Sequence, residues 1–233
     1  MVSSRPDVER LAAVAADLGG LVDRVVFIGG AVAPLLQTDP PFALARATFD
    51  VDGVVASETY GDVGRLQADL IAHGFRQRAH ATKHMHGWVG PSGIPFDLVP
   101  AGHHAGGSGN PWDAIALETA IKLELSNGIV IRHASAPAFL AQKWAAHHDR
   151  GHDDPLGSHD LEDILALLAS RPTIVDEVAL APPTLRAHVG EQARMLLGNR
   201  DVEDILAAHL NNAQDSVATI DAVRALLHHL AGL

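Results

Sequence analysis

The spacing of apolar residues divides the chain into a mixed first part and a helical second part. In residues 6–17 the apolar side chains recur at helical spacing, which predicts an opening helix. Residues 21–28 form an apolar, β-branched run that stops at Gly29 and Gly30, which predicts a buried strand entering a tight turn and then a helix. Clean alternation over residues 48–56 predicts a second strand.

The next elements follow from the same patterns. Residues 60–73 have the spacing of an amphipathic helix, which Gly74 ends. Residues 85–89 and 94–99 flank a Pro-Ser-Gly turn and predict an antiparallel hairpin. Beyond residue 110 the pattern becomes helical. The elements predicted there are helices over 112–125, 137–148, 159–170 and within 201–230, with one short strand over 128–132.

This order of elements predicts an α+β fold, in which a small mixed β-sheet with flanking helices precedes a helical C-terminal half. We place the boundary at residue 134. The sequence therefore predicts a core domain of residues 1–134 and a helical domain of residues 135–233.

Composition and charge exclude several classes of function. The 233 residues include no cysteine, which excludes thiolate zinc sites and thiol catalysis. The formal net charge of −11 disfavours broad binding to nucleic-acid backbones. The N-terminal segment lacks a signal-like apolar block, and no stretch reaches the roughly 18 apolar residues of a membrane helix. We therefore expect a cytoplasmic protein with no membrane partner.

Acidic residues on two predicted strands form the most informative pattern. Asp50 and Asp52 alternate on one strand, where residues i and i+2 share a face and lie about 6.6 Å apart. Carboxylates this close repel each other unless a proton or a cation intervenes, and oxygen ligands suit Mg²⁺. Asp97 lies in an apolar strand, where an unpaired charge is costly. If the strands adjoin, three carboxylates converge and can hold two metal ions for nucleotidyl transfer.

Two interpretations fit these carboxylates. A short Asp-x-Asp pair is common on a solvated strand face, and Asp97 would then cap a turn. Gly29 and Gly30 favour the metal site instead, because glycines between a strand and a helix let the backbone approach phosphates closely.

A wider set of residues shows a family resemblance. These residues are Gly29-Gly30, Arg46-x-Thr48-x-Asp50-x-Asp52, Asp97, Lys143 and Ser158-His-Asp160-Leu-Glu-Asp163. Together they resemble the polymerase β-type nucleotidyltransferase superfamily and, within it, the AbiEii/AbiGii toxin-like branch. The resemblance extends from about residue 20 to residue 170.

The resemblance implies a minimal nucleotidyltransferase α/β core joined to a helical domain. It implies an enzyme that transfers a nucleoside monophosphate from an NTP, with Mg²⁺, to an acceptor. Several members of the branch are toxins of toxin–antitoxin systems, and some modify the acceptor end of tRNA. We therefore expect an NTP, tRNA and an antitoxin protein as partners.

The resemblance also assigns roles to residues of this chain. Gly29 and Gly30 would cradle the triphosphate. Three carboxylates would ligate the metal, with the last also activating the acceptor hydroxyl. They are Asp50, Asp52 and Asp97.

Three further positions complete the expected site. Thr48 would hydrogen-bond a phosphate. Lys143 would neutralise charge on the triphosphate, although a surface lysine is an equal alternative. Asp160 occupies an acidic position of the family, but Asp160 and Asp163 follow Ser158 in a first helical turn, where acidic residues also stabilise a helix.

Fifteen histidines are a high number for a chain of this length. A transition-metal site needs further ligands at fixed spacing, so we favour simple surface enrichment. The clustered histidines are His80, His84, His86, His103, His104, His147, His148 and His152.

Two other functions fit the sequence. The acidic balance suits a cationic acceptor, so the protein could be a nucleotidyltransferase that acts on an aminoglycoside-like small molecule. A different class is a catalytically silent nucleotide-binding or interaction protein. The presence of all three carboxylates argues against that class.

Overall fold

The structure, a computed structural model, describes residues 6–39, 48–57, 59–78, 86–101, 110–151 and 153–233. The chain divides into two compact units. The first contains Met1–Pro34 and Ala47–Ser135, and the second contains Leu35–Arg46 and Ala136–Leu233.

Helices and strands are numbered separately along the chain. The helices are α1 (Pro6–Leu18), α2 (Ala33–Leu36), α3 (Tyr60–Ala72), α4 (Asp113–Glu118), α5 (Ala136–Arg150), α6 (His159–Ser170), α7 (Ile174–Ala179), α8 (Pro183–Leu197), α9 (Val202–Leu210) and α10 (Ser216–Ala231). The strands are β1 (Val25–Ile28), β2 (Val51–Ala56), β3 (Arg76–Gln77), β4 (Gly87–Val89), β5 (Pro95–Ala101), β6 (Ile121–Glu124) and β7 (Val130–His133). Within the described ranges, every helix is too short or too polar to cross a membrane.

The strands of the first unit form one mixed sheet in the order β3-β4-β5-β2-β1-β7-β6. Strand β1 pairs antiparallel with β2 and parallel with β7, while β2 pairs parallel with β5. The centre of the sheet is closely packed at Gly53 on β2. A Cβ atom there would lie 2.9 Å from Val25 Cγ1 and 3.1 Å from the ring of Phe96. The glycine therefore makes room for the aromatic core beneath the central strands.

The second unit is built from helices α5 to α10. The apolar face of α6 is fully or almost fully buried and consists of Leu161, Ile164, Leu165 and Leu168. The segment after α2 joins this unit through its backbone, because Thr38 and Asp39 donate hydrogen bonds to the carbonyl of Ser170 at 3.0 and 2.8 Å. The mixed sheet followed by helices confirms the predicted α+β fold class.

Two predicted strands are shorter than expected. The first begins at Val25, because Gly19–Arg24 form a 3-10 helix. The second begins at Val51 rather than Thr48, so Asp50 lies in a bend before the strand. Its ladder with β1 ends at the pair of Ile28 and Asp52, and the chain then turns away at Gly29. The ladder with β1 therefore does not extend to Phe49 and Asp50.

The helix predicted over residues 112–125 is wrong in its second half. Residues 121–124 form β6, which pairs antiparallel with β7. A tight turn joins the two strands: Gly128 has a φ of 80°, and its N–H donates to the carbonyl of Leu125 at 2.9 Å. The Asn127-Gly128 dipeptide is a strong hairpin signal that helical spacing masked.

Other differences lie in the helical half. The region predicted over 201–230 forms two helices, α9 and α10. Helices α7 and α8 were not predicted. The hairpin of β4 and β5 is confirmed, as is the helix α3, which His73 caps and Gly74 follows with a φ of 83°.

Candidate active site

The glycine turn after β1 lies directly against β2, the strand that carries Asp52. Gly29 has a φ of 71°, which favours glycine, and a Cβ atom at this position would lie 2.9 Å from Cγ of Asp52. At Gly30 a Cβ atom would lie 3.6 Å from Cβ of Thr48 and closer still to its methyl group. The turn therefore brings four of the predicted residues together. The following helix is short, since one 3-10 turn leads into the four residues of α2.

Asp52 and Asp97 are direct neighbours in the sheet. They are Cα partners in the parallel ladder of β2 and β5, and both are half-buried. Neighbouring strands lie about 4.8 Å apart, and paired residues of a parallel ladder point to the same face. The two carboxylates therefore stand side by side, beside Gly29. Asp50, also half-buried, precedes them in the bend.

A positive charge faces this carboxylate pair. The guanidinium of Arg78 forms an ion pair with Asp97, and the side chains of these residues are 34% and 32% exposed. Arg78 passes over Gly87 of β4, where a Cβ atom would lie 2.8 Å from its Nε. This cation offsets the repulsion between neighbouring carboxylates. Sequence analysis missed Arg78, because nothing in its local pattern marks it.

The carboxylate pair fits magnesium chemistry. Mg²⁺ commonly takes one or two protein carboxylates and completes its shell with water and substrate phosphates. Asp52 and Asp97 supply that number of oxygen donors, and Gly29 leaves the adjoining space free of a side chain. Within the described ranges no three His, Asp or Glu residues are grouped so that they could hold a metal ion. The fit to Mg²⁺ therefore rests on Asp52 and Asp97, and the role of Asp50 as a third metal ligand stays a prediction.

Thr48 is anchored by Asp7 and Arg10 of α1, through contacts that sequence analysis missed. Its backbone N–H donates to Asp7 Oδ1 at 3.1 Å, and its carbonyl accepts from Arg10 at 2.6 Å. Asp7 is 4% exposed, and it pairs with Arg10 at 3.1 Å. The hydroxyl of Thr48 also lies 3.5 Å from Asp7, so this side chain faces α1 as well as the glycine turn. The signal that could have found the anchor is an Asp in the first turn of a buried helix.

Lys143 and Asp160 meet in the second unit. Lys143 Nζ lies 3.1 Å from Asp160 Oδ1 and 2.5 Å from Asp163 Oδ2. Arg150 also binds Asp160, with Nε and a terminal nitrogen 2.7 and 2.9 Å from its two oxygens. The side chain of Lys143 is only 10% exposed, so it is not a surface lysine. These two acidic and two basic residues form a charged cluster that links α5 to α6.

Electrostatics keep Lys143 and Asp160 ionised. Burial alone would lower the pKa of Lys143, but attraction to Asp163 and Asp160 and their hydrogen bonds raise it above its ordinary value. Burial alone would raise the pKa of Asp160. The hydrogen bond from Arg150 and the charge of Lys143 nevertheless hold that pKa below its ordinary value. Ser158 also caps α6, because its hydroxyl accepts from the N–H of Leu161 at 3.3 Å.

Three of the clustered histidines can be placed. His86 and His147 are buried, and Nδ1 of His147 lies 2.7 Å from the hydroxyl of Ser158. His148 is hydrogen-bonded to Gln192. The contact of His147 ties α5 to the start of α6, and that of His148 ties α5 to α8. Six predicted residues lie outside the described ranges, namely Arg46, His80, His84, His103, His104 and His152.

Comparisons with known proteins bear on the fold. No protein-family profile and no curated protein matches the chain. A solved structure described as a candidate nucleotidyltransferase from H. pylori matches with a TM-score of 0.50 and 11% identity, over 98% of this chain and 96% of that one. The chain has a nucleotidyltransferase-like fold. The structure of JHP933 from Helicobacter pylori also matches, with a TM-score of 0.48 and 13% identity over 98% of this chain and 93% of that one.

Proposed function

We propose that this protein is a Mg²⁺-dependent nucleotidyltransferase that moves a nucleoside monophosphate from an NTP to an acceptor hydroxyl. The observation that carries the proposal is the pairing of Asp52 with Asp97 on neighbouring strands, with the backbone of Gly29 packed against Asp52. Carboxylates beside a glycine turn provide cation ligands and close backbone access for a triphosphate. The nucleotidyltransferase-like fold supports the same function.

In this proposal Asp52 and Asp97 would hold the metal, with Asp50 as a third ligand. Bound Mg²⁺ would offset the negative charge of the phosphates and polarise the bond that breaks. Asp97 would also accept the proton of the acceptor hydroxyl, whose oxygen forms the new bond to the α-phosphorus while pyrophosphate leaves. Gly29 and Gly30 would line the path of the triphosphate, and the hydroxyl of Thr48 would donate a hydrogen bond to a phosphate oxygen.

The family resemblance also gives Lys143 and Asp160 a part in triphosphate binding. The raised pKa of Lys143 keeps its ammonium group charged at neutral pH, as charge stabilisation of a triphosphate requires. Asp160 would hold that ammonium group in position through their 3.1 Å contact. The same contacts stabilise the fold, so activity and stability have to be measured together for variants of either residue.

The acceptor has two proposed identities. The resemblance to the AbiEii/AbiGii toxin-like branch favours a toxin that modifies tRNA and is held by an antitoxin. The formal net charge of −11 favours a cationic small molecule such as an aminoglycoside, because an acidic protein attracts a cation and repels a polyanion. Both acceptors present a hydroxyl, so the proposed chemistry is shared.

A label-transfer assay tests the proposal. The protein is incubated with each α-labelled NTP and Mg²⁺, together with either total tRNA or a panel of aminoglycosides. We expect label in one acceptor class, and loss of that label in Asp52→Asn and Asp97→Asn. The matched control is Asp69→Asn, whose carboxylate pairs with Arg24 on the surface at 2.8 Å and should be dispensable. Binding of NTP without transfer to any acceptor would favour the silent binding protein.

A further inference from the structure

Phe49 presents an aromatic ring beside the proposed metal site. It lies between Thr48 and Asp50, and it is 81% exposed. Single exposed apolar residues are ordinary, so exposure alone indicates no ligand. The contacts of this ring and of its backbone set Phe49 apart.

A fixed cation lies over the ring. The guanidinium carbon of Arg10 is 5.9 Å from the ring centroid of Phe49, within the range of a cation–π contact. Arg10 is held there by two other partners, since it donates to the carbonyl of Thr48 at 2.6 Å and to Asp7 at 3.1 Å. One side of the ring is thus supported by a guanidinium whose position does not depend on a ligand.

The backbone that carries the ring is also anchored. Thr48 both donates to Asp7 and accepts from Arg10, and Gly30 packs against its side chain. Phe49 therefore projects from a chain segment with fixed hydrogen bonds. Three residues of extended chain span at most about 11 Å, so the Cα atoms of Phe49 and Asp52 lie no farther apart than that.

We infer that Phe49, backed by Arg10, is a stacking platform for a planar nucleobase. This inference rests on the proposed function, because the carboxylates and the glycine turn would place phosphates within a nucleotide's length of the ring. Stacking on an aromatic side chain suits any base, and a guanidinium on the far side strengthens it. The base could belong to the NTP or to a nucleotide at the end of the acceptor.

The test separates the base from the phosphates. Binding of ATP, GTP, CTP and UTP with Mg²⁺ is compared with binding of inorganic tripolyphosphate by calorimetry. We expect Phe49→Ala to weaken NTP binding about 5- to 100-fold and to leave tripolyphosphate binding unchanged. Phe49→Trp should restore NTP binding, because it keeps an aromatic surface. Leu180→Ala is the matched control, since Leu180 is an equally exposed apolar residue, 90% exposed, in the second unit.

A second arm identifies the source of the base. Single-stranded trinucleotides with a free 3′-hydroxyl are titrated against the same variants in the presence of tripolyphosphate and Mg²⁺. Loss of affinity in Phe49→Ala for the NTP or for the trinucleotide supports the platform and shows which base it holds. Unchanged affinity for both, or an equal loss for tripolyphosphate, would overturn it. If the wild-type protein binds neither NTP nor tripolyphosphate, the proposed function fails as well.

Discussion

Replacing Lys143 with methionine removes the cation that two buried carboxylates share. Lys143 lies 3.1 Å from Asp160 and 2.5 Å from Asp163, and those carboxylates are only 4% and 8% exposed. Methionine keeps much of the length of the side chain, so the main change is the loss of charge. Removing one partner of a buried ion pair costs about 3–5 kcal/mol, because the remaining charge stays buried.

Arg150 reduces the expected loss of stability. Asp160 keeps its two hydrogen bonds to Arg150, so the loss falls mainly on Asp163. We therefore expect Lys143→Met to lower the free energy of unfolding by about 3 kcal/mol, the low end of that range. The double variant Lys143→Met/Asp163→Leu should regain at least about 1 kcal/mol, since it no longer buries a carboxylate without its cation.

Urea unfolding followed by helical circular dichroism measures these differences. The matched control is Lys122→Met, an exposed lysine on β6, which should change the free energy of unfolding by less than about 0.5 kcal/mol. If Lys143→Met is as stable as the control variant, the buried ion pairs of Lys143 do not stabilise the fold. A double variant that is no more stable than the single one would contradict the assignment of the loss to Asp163.

Three further predictions concern pH, the glycine turn and the carboxylate pair. Because the pKa of Asp160 is lowered from its ordinary value of 3.8, the ionised carboxylate stabilises the fold at any pH above 3.8. The difference in unfolding free energy between wild type and Asp160→Asn should therefore shrink as the pH falls below 3.8. Gly93→Ala places alanine at a positive φ and should cost about 1–2 kcal/mol in urea unfolding. Gly29→Ala should cost more, because its Cβ atom would also clash with the side chain of Asp52. Only Gly29→Ala should abolish NTP binding, because its methyl group would crowd Asp52, whereas Gly93 has open space around it. Equal NTP affinities of the two variants would contradict the proposed role of the glycine turn. Arg78→Gln removes a cation that competes with metal, so Mn²⁺ affinity measured by electron paramagnetic resonance should rise several-fold, whereas the surface variant Arg65→Gln should match wild type. Unchanged Mn²⁺ affinity in Arg78→Gln would show that the ion pair does not compete.

The sequence was most informative where a signal is local. The end of β1 at Gly29-Gly30 and the alternation around Asp52 need only a few neighbouring residues, and the structure has both features. The incorrect helix prediction over 112–125 shows what happens where the structure depends on a pairing partner. Residues 121–124 form a strand because β7 supplies backbone partners, and pairing of this kind overrides local propensity.

Long-range contacts account for the parts of the candidate site that sequence analysis missed. Arg78 meets Asp97 across 19 positions, and Asp7 holds Thr48 across 41. No periodicity links residues so far apart. The bend at Asp50 has the same origin, since it follows from the end of the ladder with β1 and from the anchor on Thr48.

The Mg²⁺ dependence of NTP affinity decides whether Asp52 and Asp97 are metal ligands. It is measured by calorimetry for the wild-type protein, for Asp52→Asn and Asp97→Asn, and for the surface control Asp69→Asn. The proposed site predicts that Mg²⁺ strengthens NTP binding in the wild type and the control, and that both active-site variants lose this dependence. The same Mg²⁺ dependence in all four proteins would contradict the assignment of Asp52 and Asp97 as metal ligands.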